Sequence, residues 1–337
     1  MADKAIFDKK NILVIGGAGF IGSHLCDELI KEAKVVCLDN FLTGDDQNIS
    51  HLLQDSNFEF INHDVVSPIV LEDRPELKNF KIEFQGIQEI YFLASPASPR
   101  IYNQHPIETM MVNSTGLYNA LQMAVSYKAK FLYVSSSAVY GEVRDNKKIK
   151  EDFIGCVNQL SPRAVYAEAK RFGETMVNNY RTKFDIDAKI VRVFNGYGPR
   201  MRLDDGRMIP ELIRSALYNK DLTIYGQDKD VSSYLYISDL IQALMKVMDS
   251  GEKGPLNIAS EDKHDFSFVA KKIIELTGSK SGISYHDREA IMAPQSLGDI
   301  TSIKEKIGWF PITLLEQGLT ETIEYLGAQK GIIEPGQ

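Results

Sequence analysis

Six short runs in the first 194 residues are apolar nearly throughout: NILVIG (11–16), KVVCLD (34–39), FEFIN (58–62), EIYFLA (89–94), KFLYVSS (130–136) and AKIVRVF (188–194). They lack the sustained alternation of a strand with one wet face, so the pattern predicts strands buried on both sides. Between them, helical patterns fall over 20–32, 106–127 and 164–183. Strands alternating with helices predict a parallel sheet covered on both faces, a Rossmann-type doubly wound α/β fold. Beyond residue 194 the regularity fades. A turn-rich stretch, NGYGPRMRLDDGR (195–207), leads into helical patterns near 208–218, 237–249, 266–277 and 313–327, and PLNIAS (255–260) offers one further strand to the sheet. The organisation expected is a first domain over 1–193, rejoined by about 235–260, and a smaller interleaved α/β cap over 194–234 and 261–330.

The turn after the first run reads GGAGFIGSHL, which sets Gly16, Gly19 and Gly22 in a GxxGxxG spacing between strand and helix. Glycine permits the tight turn, and without Cβ atoms the backbone N–H groups can approach a pyrophosphate at the helix N-terminus. Glycine-rich turns are common, so the spacing gains weight from its surroundings. The second run ends in Asp39, near the offset of about 20 residues at which a carboxylate bonds a ribose 2′-hydroxyl. That carboxylate would repel a 2′-phosphate, so the cofactor expected is NAD rather than NADP. The residues expected around it are Gly16, Gly19, Phe20, Ile21, Gly22, Asp39 and Asn40, with Val65 beyond the third run and Leu93 and Ala94 closing the fourth.

In VYAEAK (165–170), Tyr166 and Lys170 stand four positions apart, hence on one face of a helix. Alone, the pair would be an ordinary half-buried tyrosine and a solvated lysine. A dinucleotide site upstream changes that, as does SSSAVYG (135–141) at the carboxyl end of the fifth run, where open α/β sheets bind ligands. Ser136, Tyr166 and Lys170 then make an acid–base group, with Lys170 also a cofactor contact and Ser137 a substrate contact. Lys170 and a positive nicotinamide would favour the phenolate, which can take a proton from a sugar hydroxyl while the same carbon is oxidised.

Composition narrows the partners. With 337 residues, 44% apolar and 25% charged, the chain is an ordinary globular one. Its net charge of −8 argues against a nucleic-acid partner. Cys26, Cys37 and Cys156 form no CxxC or Cys/His cluster, so neither a disulfide framework nor a metal site is expected. The opening MADKAIFDKK has no apolar core of a signal peptide, and no run approaches the about 20 residues that span a bilayer. A cytoplasmic protein without a membrane partner is expected.

Taken together, these stretches resemble the extended short-chain dehydrogenase/reductases that act on nucleotide sugars, and among them the UDP-glucuronate decarboxylases. The likeness runs from ILVIGGAGFIGSHL to IGWFP, and its most telling pieces are INHDVVSPI (61–69), LASPASP (93–99), VFNGYGPRMRLDDGRMIP (193–210) and YISDL (236–240). The resemblance implies transient oxidation of a sugar C4 by bound NAD and loss of CO₂ from a UDP-linked uronate. It also implies a homodimer packed through the helices near 106–127 and 164–183. It would place Asp64 at the adenine, Asn195 at the substrate pyrophosphate, Arg207 in the substrate loop and Tyr225 near the nucleobase, with Ser136, Tyr166 and Lys170 catalytic. Three positions depart from that family. Its members carry glutamate where this chain has Ala138, and arginines where it has Ser232 and Ser296. The glutamate and the second of those arginines assist CO₂ loss. Arg100, in ASPRIY, is unusual for the family and is a candidate for bringing charge to the substrate. The 4-epimerases need only Ser, Tyr and Lys, so a nucleotide-sugar 4-epimerase stays open. A non-catalytic NAD-binding module is the remote third reading, since Tyr166 and Lys170 are both present.

Overall fold

The computed structural model describes residues 9–143, 147–204, 206–227, 230–287 and 297–328. Seven strands form one sheet: β1 (Asn11–Ile15), β2 (Lys34–Asp39), β3 (Phe58–Asn62), β4 (Glu89–Phe92), β5 (Lys130–Ser136), β6 (Ala188–Val193) and β7 (Leu256–Ile258). Their order is β7-β6-β5-β4-β1-β2-β3. β1 pairs in parallel with both β2 and β4, β2 with β3, β4 with β5, and β6 with β7. All residues of β1 and β4 are buried, as their unbroken apolar runs require of strands covered on both faces. The expected strand in PLNIAS does join the sheet, with Leu256 opposite Val191. The chain runs outward from β1 to β3 and then returns to β4, so the strand order reverses between β1 and β4, the switch point at which such sheets bind ligands.

The helices include α1 (Phe20–Leu29), α2 (Pro99–Gln104), α3 (Leu117–Tyr127), α4 (Ala164–Phe184), α5 (Met208–Leu217), α6 (Ile237–Asp249), α7 (Phe266–Thr277) and α8 (Leu315–Ala328). The chain divides into two compact units. One comprises residues 1–95, 107–134 and 171–190. Its core gathers Leu13, Val36, Ile90 and Phe131 from the strands with Leu117 and Leu121 of α3 and Val177 of α4. The helical stretch expected over 106–127 is present but contains a π turn at Val112–Gly116. Within that turn Asn113 is buried. It donates to Ser95 Oγ at 2.9 Å and accepts from the Tyr133 hydroxyl at 3.1 Å.

The other unit comprises residues 96–106, 135–170 and 191–337. Here α6 buries Ile237, Leu240, Ile241, Leu244 and Val247, the helical stripe that its sequence shows. Two features were not legible as elements. Leu222–Tyr225 pairs in parallel with Ile283–His286. α2 is a short helix with Pro99 in its first turn and Ser98 as its cap, the Ser98 hydroxyl accepting from the Ile101 N–H at 3.3 Å. Among the described residues no helix is long and apolar enough to cross a membrane.

Candidate active site

At the β1–α1 turn, Gly16 has φ +85°, and a Cβ on it would lie 2.6 Å from the Ala94 backbone nitrogen. A Cβ on Gly22 would lie 2.1 Å from the Gly16 carbonyl oxygen. Only glycine lets α1 start this close to the turn, and the result is an open cradle of backbone. Asp39 ends β2 beside it. Its Oδ2 accepts from the Ala18 N–H at 3.0 Å and its Oδ1 from the Phe41 N–H at 2.9 Å. Burial pushes this carboxyl up, and the N–H groups of Phe41, Ala18 and Asn40 oppose that shift. Each carboxylate oxygen can accept more than once, so Asp39 retains capacity for a ribose hydroxyl. Phe20 and Ile21 are half-buried at the start of α1, and Asn40 is exposed. Leu93 follows β4 and donates its N–H to the Ile15 carbonyl at 2.9 Å, with Ala94 next to it. Asp64 is exposed and accepts from the Val66 N–H at 2.9 Å, while Val65 is buried against Gly116. The cradle, the capped acid at the end of β2 and the adjoining end of β4 fit a dinucleotide.

Ser136 closes β5 and caps the turn Ser137–Tyr140, its Oγ accepting from the Ala138 N–H at 3.2 Å. The same hydroxyl bears on the Tyr166 phenol and favours its phenolate. Tyr166 and Lys170 occupy the first two turns of α4, and both are buried, with 8% and 2% of their surface exposed. The Lys170 ammonium lies 5.9 Å from the centre of the Tyr166 ring. Burial pushes the phenol up to about 12, against the Ser136 hydroxyl and the charges of Arg207 and Arg163, which favour the phenolate. The expectation of a phenol lowered by Lys170 is thus corrected: burial outweighs the groups that favour the phenolate, and the cations acting on it are Arg207 and Arg163. Tyr102 of α2 lies parallel to Tyr166, with ring centres 5.2 Å apart and planes 2° from parallel.

Asn195, Arg207 and Tyr225 line a single pocket, together with Arg163, Tyr234 and Phe266. Asn195 has φ +36° and donates from Nδ2 to the Ser232 hydroxyl at 3.0 Å and the Ser233 carbonyl at 3.2 Å. Ser232 is fully buried. At the position where the resembling family has an arginine, this chain therefore has a neutral scaffold contact. Ser137 is half-buried in the turn after β5. Arg100 points its two terminal nitrogens at the chain itself, Nη1 to the Asp204 carbonyl at 3.0 Å and Nη2 to Glu211 Oε1 at 3.1 Å. Ser296 lies outside the described residues. Two residues near Tyr166 carried no motif of their own. Arg163 was traceable by its place three residues before Tyr166, whereas the stacking of Tyr102 is a tertiary contact that no local pattern announces.

The model of the NAD dependent epimerase/dehydratase family matches residues 12–259. The chain belongs to this family. NAD is the family's cofactor. UDP-glucuronic acid decarboxylase 1 of Xenopus tropicalis is 38% identical over 319 residues, 94% of this chain and 72% of that protein. Among solved structures, UDP-glucose 4-epimerase of Thermotoga maritima with UDP-glucose superposes with a TM-score of 0.82 at 27% identity, covering 96% of this chain and 100% of the other. UDP-glucuronic acid 4-epimerase of Bacillus cereus, in complex with UDP-glucuronic acid and NAD, gives a TM-score of 0.81 at 27% identity and the same coverage. The seven-stranded parallel sheet of this family member is the architecture those enzymes share.

Proposed function

We propose that this protein decarboxylates UDP-glucuronate to UDP-xylose by transient oxidation at C4 of the sugar. The observation that carries the reading is the trio of half-buried Ser136 with buried Tyr166 and Lys170, with the charges of Arg163 and Arg207 bearing on the same phenol. The relatives that share more than nine-tenths of the chain supply the identity of the sugar. Gly16, Gly19, Gly22 and Asp39 would hold NAD, with Asp64 and Val65 toward the adenine. Bound NAD supplies the oxidation of C4 and its later reversal. Tyr166, as phenolate, takes the proton from the C4 hydroxyl, Ser136 holds that oxygen, and Lys170 keeps the phenolate charged. Once C4 is a ketone, the C6 carboxylate is β to it, and CO₂ leaves as the C5–C6 electron pair moves toward the ketone. C5 then gains a proton from solvent water, and Tyr166 returns the one it took to the C4 oxygen. Asn195 and Arg207 would bind the pyrophosphate and Tyr225 the base.

A second reading, a 4-epimerase, is favoured by Ala138, which leaves the turn after β5 without the carboxylate that the resemblance calls for. Incubation with UDP-glucuronate, followed by mass spectrometry and NMR, separates the two. A product lighter by one CO₂ supports the decarboxylase. An unchanged mass inverted at C4 supports the epimerase.

A homodimer and a cytoplasmic location belong to the same reading. Ile107, Met110, Met111, Tyr118, Phe172 and Phe184 are exposed apolar residues of the first unit, on or beside the helical segments the resemblance assigns to pairing. The cysteines Cys26, Cys37 and Cys156 are free thiols, in keeping with a reducing compartment.

A further inference from the structure

Arg100 was a candidate for touching substrate, yet its guanidinium is spent on two points that bracket Arg207. One is the carbonyl of Asp204, three residues before Arg207, at 3.0 Å. The other is the carboxylate of Glu211, four residues after it, at 3.1 Å. Arg207 itself is the residue at which α5 begins, with extended backbone (φ −81°, ψ 144°) and no side-chain cap. Its carbonyl accepts from the Glu211 N–H at 3.2 Å, so the carboxylate held by Arg100 belongs to the residue that closes the first turn on Arg207. Gly206, at φ +84°, packs against the Arg100 side chain, where a Cβ would meet Arg100 Cβ at 3.5 Å and Nε at 3.6 Å. Arg207, Gly206 and Glu211 all line the pocket that holds Asn195 and Tyr225.

We propose that Arg100 is a positioning residue, a two-armed strut from α2 that sets the backbone on both sides of Arg207 and so aims Arg207 at the nucleotide's phosphates. The inference rests on the assignment of Arg207 to nucleotide binding. Arginine suits the task because its planar fork presents two donors in fixed relation, one for a carbonyl and one for a carboxylate. As an ion pair the Arg100–Glu211 contact is half-exposed and stabilises the fold little. Its consequence lies in geometry, since a shift of about 1 Å at a binding group can cost up to ~10²-fold in function.

The test is a double-mutant cycle on the cofactor-loaded protein, with UDP as the probe and calorimetry as the readout, so that it does not depend on which sugar reacts. Arg100→Ala should weaken UDP binding by about tenfold or more, Arg207→Ala should weaken it at least as much, and the double variant should be no weaker than Arg207→Ala alone, because Arg100 acts through Arg207. Arg100→Lys keeps the charge but loses one arm, and should give an intermediate loss. Unaltered UDP affinity in Arg100→Ala overturns the proposal. So does a double variant whose loss is the product of the two single losses, and so does a lysine variant equal to wild type, since charge alone would then suffice. Wild-type protein that fails to bind UDP overturns it together with the assignment of Arg207. Wild-type protein that binds UDP but leaves UDP-glucuronate unchanged overturns only the proposed reaction.

Discussion

At the scale of single residues, the proposed chemistry turns on opposing pulls at one phenol. Desolvation favours neutral Tyr166 and pushes it up to about 12, while the Ser136 hydroxyl and the charges of Arg207 and Arg163 favour the phenolate. The base is therefore active only as its proton leaves, and turnover should climb with pH on the acid side of the profile. Removing a cation must raise the phenol further. Arg163→Gln should thus move the acid limb to higher pH, with the rate recovered at the upper end of the range. Tyr166→Phe should remove the limb altogether and lower turnover by about 10²–10⁴-fold, while NAD still binds. A pH–rate series on the three proteins checks this. An acid limb that stays in place in Arg163→Gln, or near-normal turnover in Tyr166→Phe, contradicts the assignment.

Elements differ in how much of themselves they write into the sequence. β1, β2, β4 and β5 were legible because strands covered on both faces are apolar nearly throughout, and α6 because its buried stripe repeats at helical spacing. β7 was legible as an apolar run, and its partner was not, since pairing of Leu256 with Val191 joins positions far apart in the chain. α2 escaped because six residues carry less than two turns of periodicity and its cap, Ser98-Pro99, reads as a turn. The same limit hid the candidate site's edges. Ser136, Tyr166 and Lys170 lie in local patterns, whereas the parallel stack of Tyr102 on Tyr166 exists only once α2 is placed. The β1–α1 turn is the opposite case, a local pattern with a strict steric reason. Gly22→Ala would set a Cβ 2.1 Å from the Gly16 carbonyl oxygen, and the atom met is backbone, which cannot swing aside. We expect the variant to lose about 1–3 kcal/mol from overpacking and to bind NAD poorly, read by thermal melting and by cofactor retained on purification. A variant with wild-type melting and full cofactor would show that the turn has slack that its contacts deny.

For the whole molecule, the question is how a chain matching decarboxylases over nine-tenths of its length works with a sparser site. Ala138 stands in the turn just after Ser136, its N–H bound to the serine oxygen at 3.2 Å, so a longer side chain at this position would start beside the reacting group. A β-keto acid loses CO₂ without help once C4 is oxidised, and the trio proposed to drive that oxidation is in place. Ala138 brings no charge to the departing carboxylate, and one well-placed electrostatic group is worth about 2.7–4 kcal/mol at a transition state. Slow CO₂ release then follows, and a 4-keto sugar that waits has time to turn over and be reduced on its other face. Wild-type protein given UDP-glucuronate should therefore form the pentose slowly, with 4-keto or C4-inverted material beside it. Ala138→Glu combined with Ser296→Arg should speed CO₂ loss by about 10²-fold and suppress the side product, because the intermediate is consumed before it can turn. NMR of both product mixtures over time decides the matter. Equal rates and equal side product in the two proteins would mean that the carboxylate is handled elsewhere in the pocket, with Arg163 the first residue to examine there.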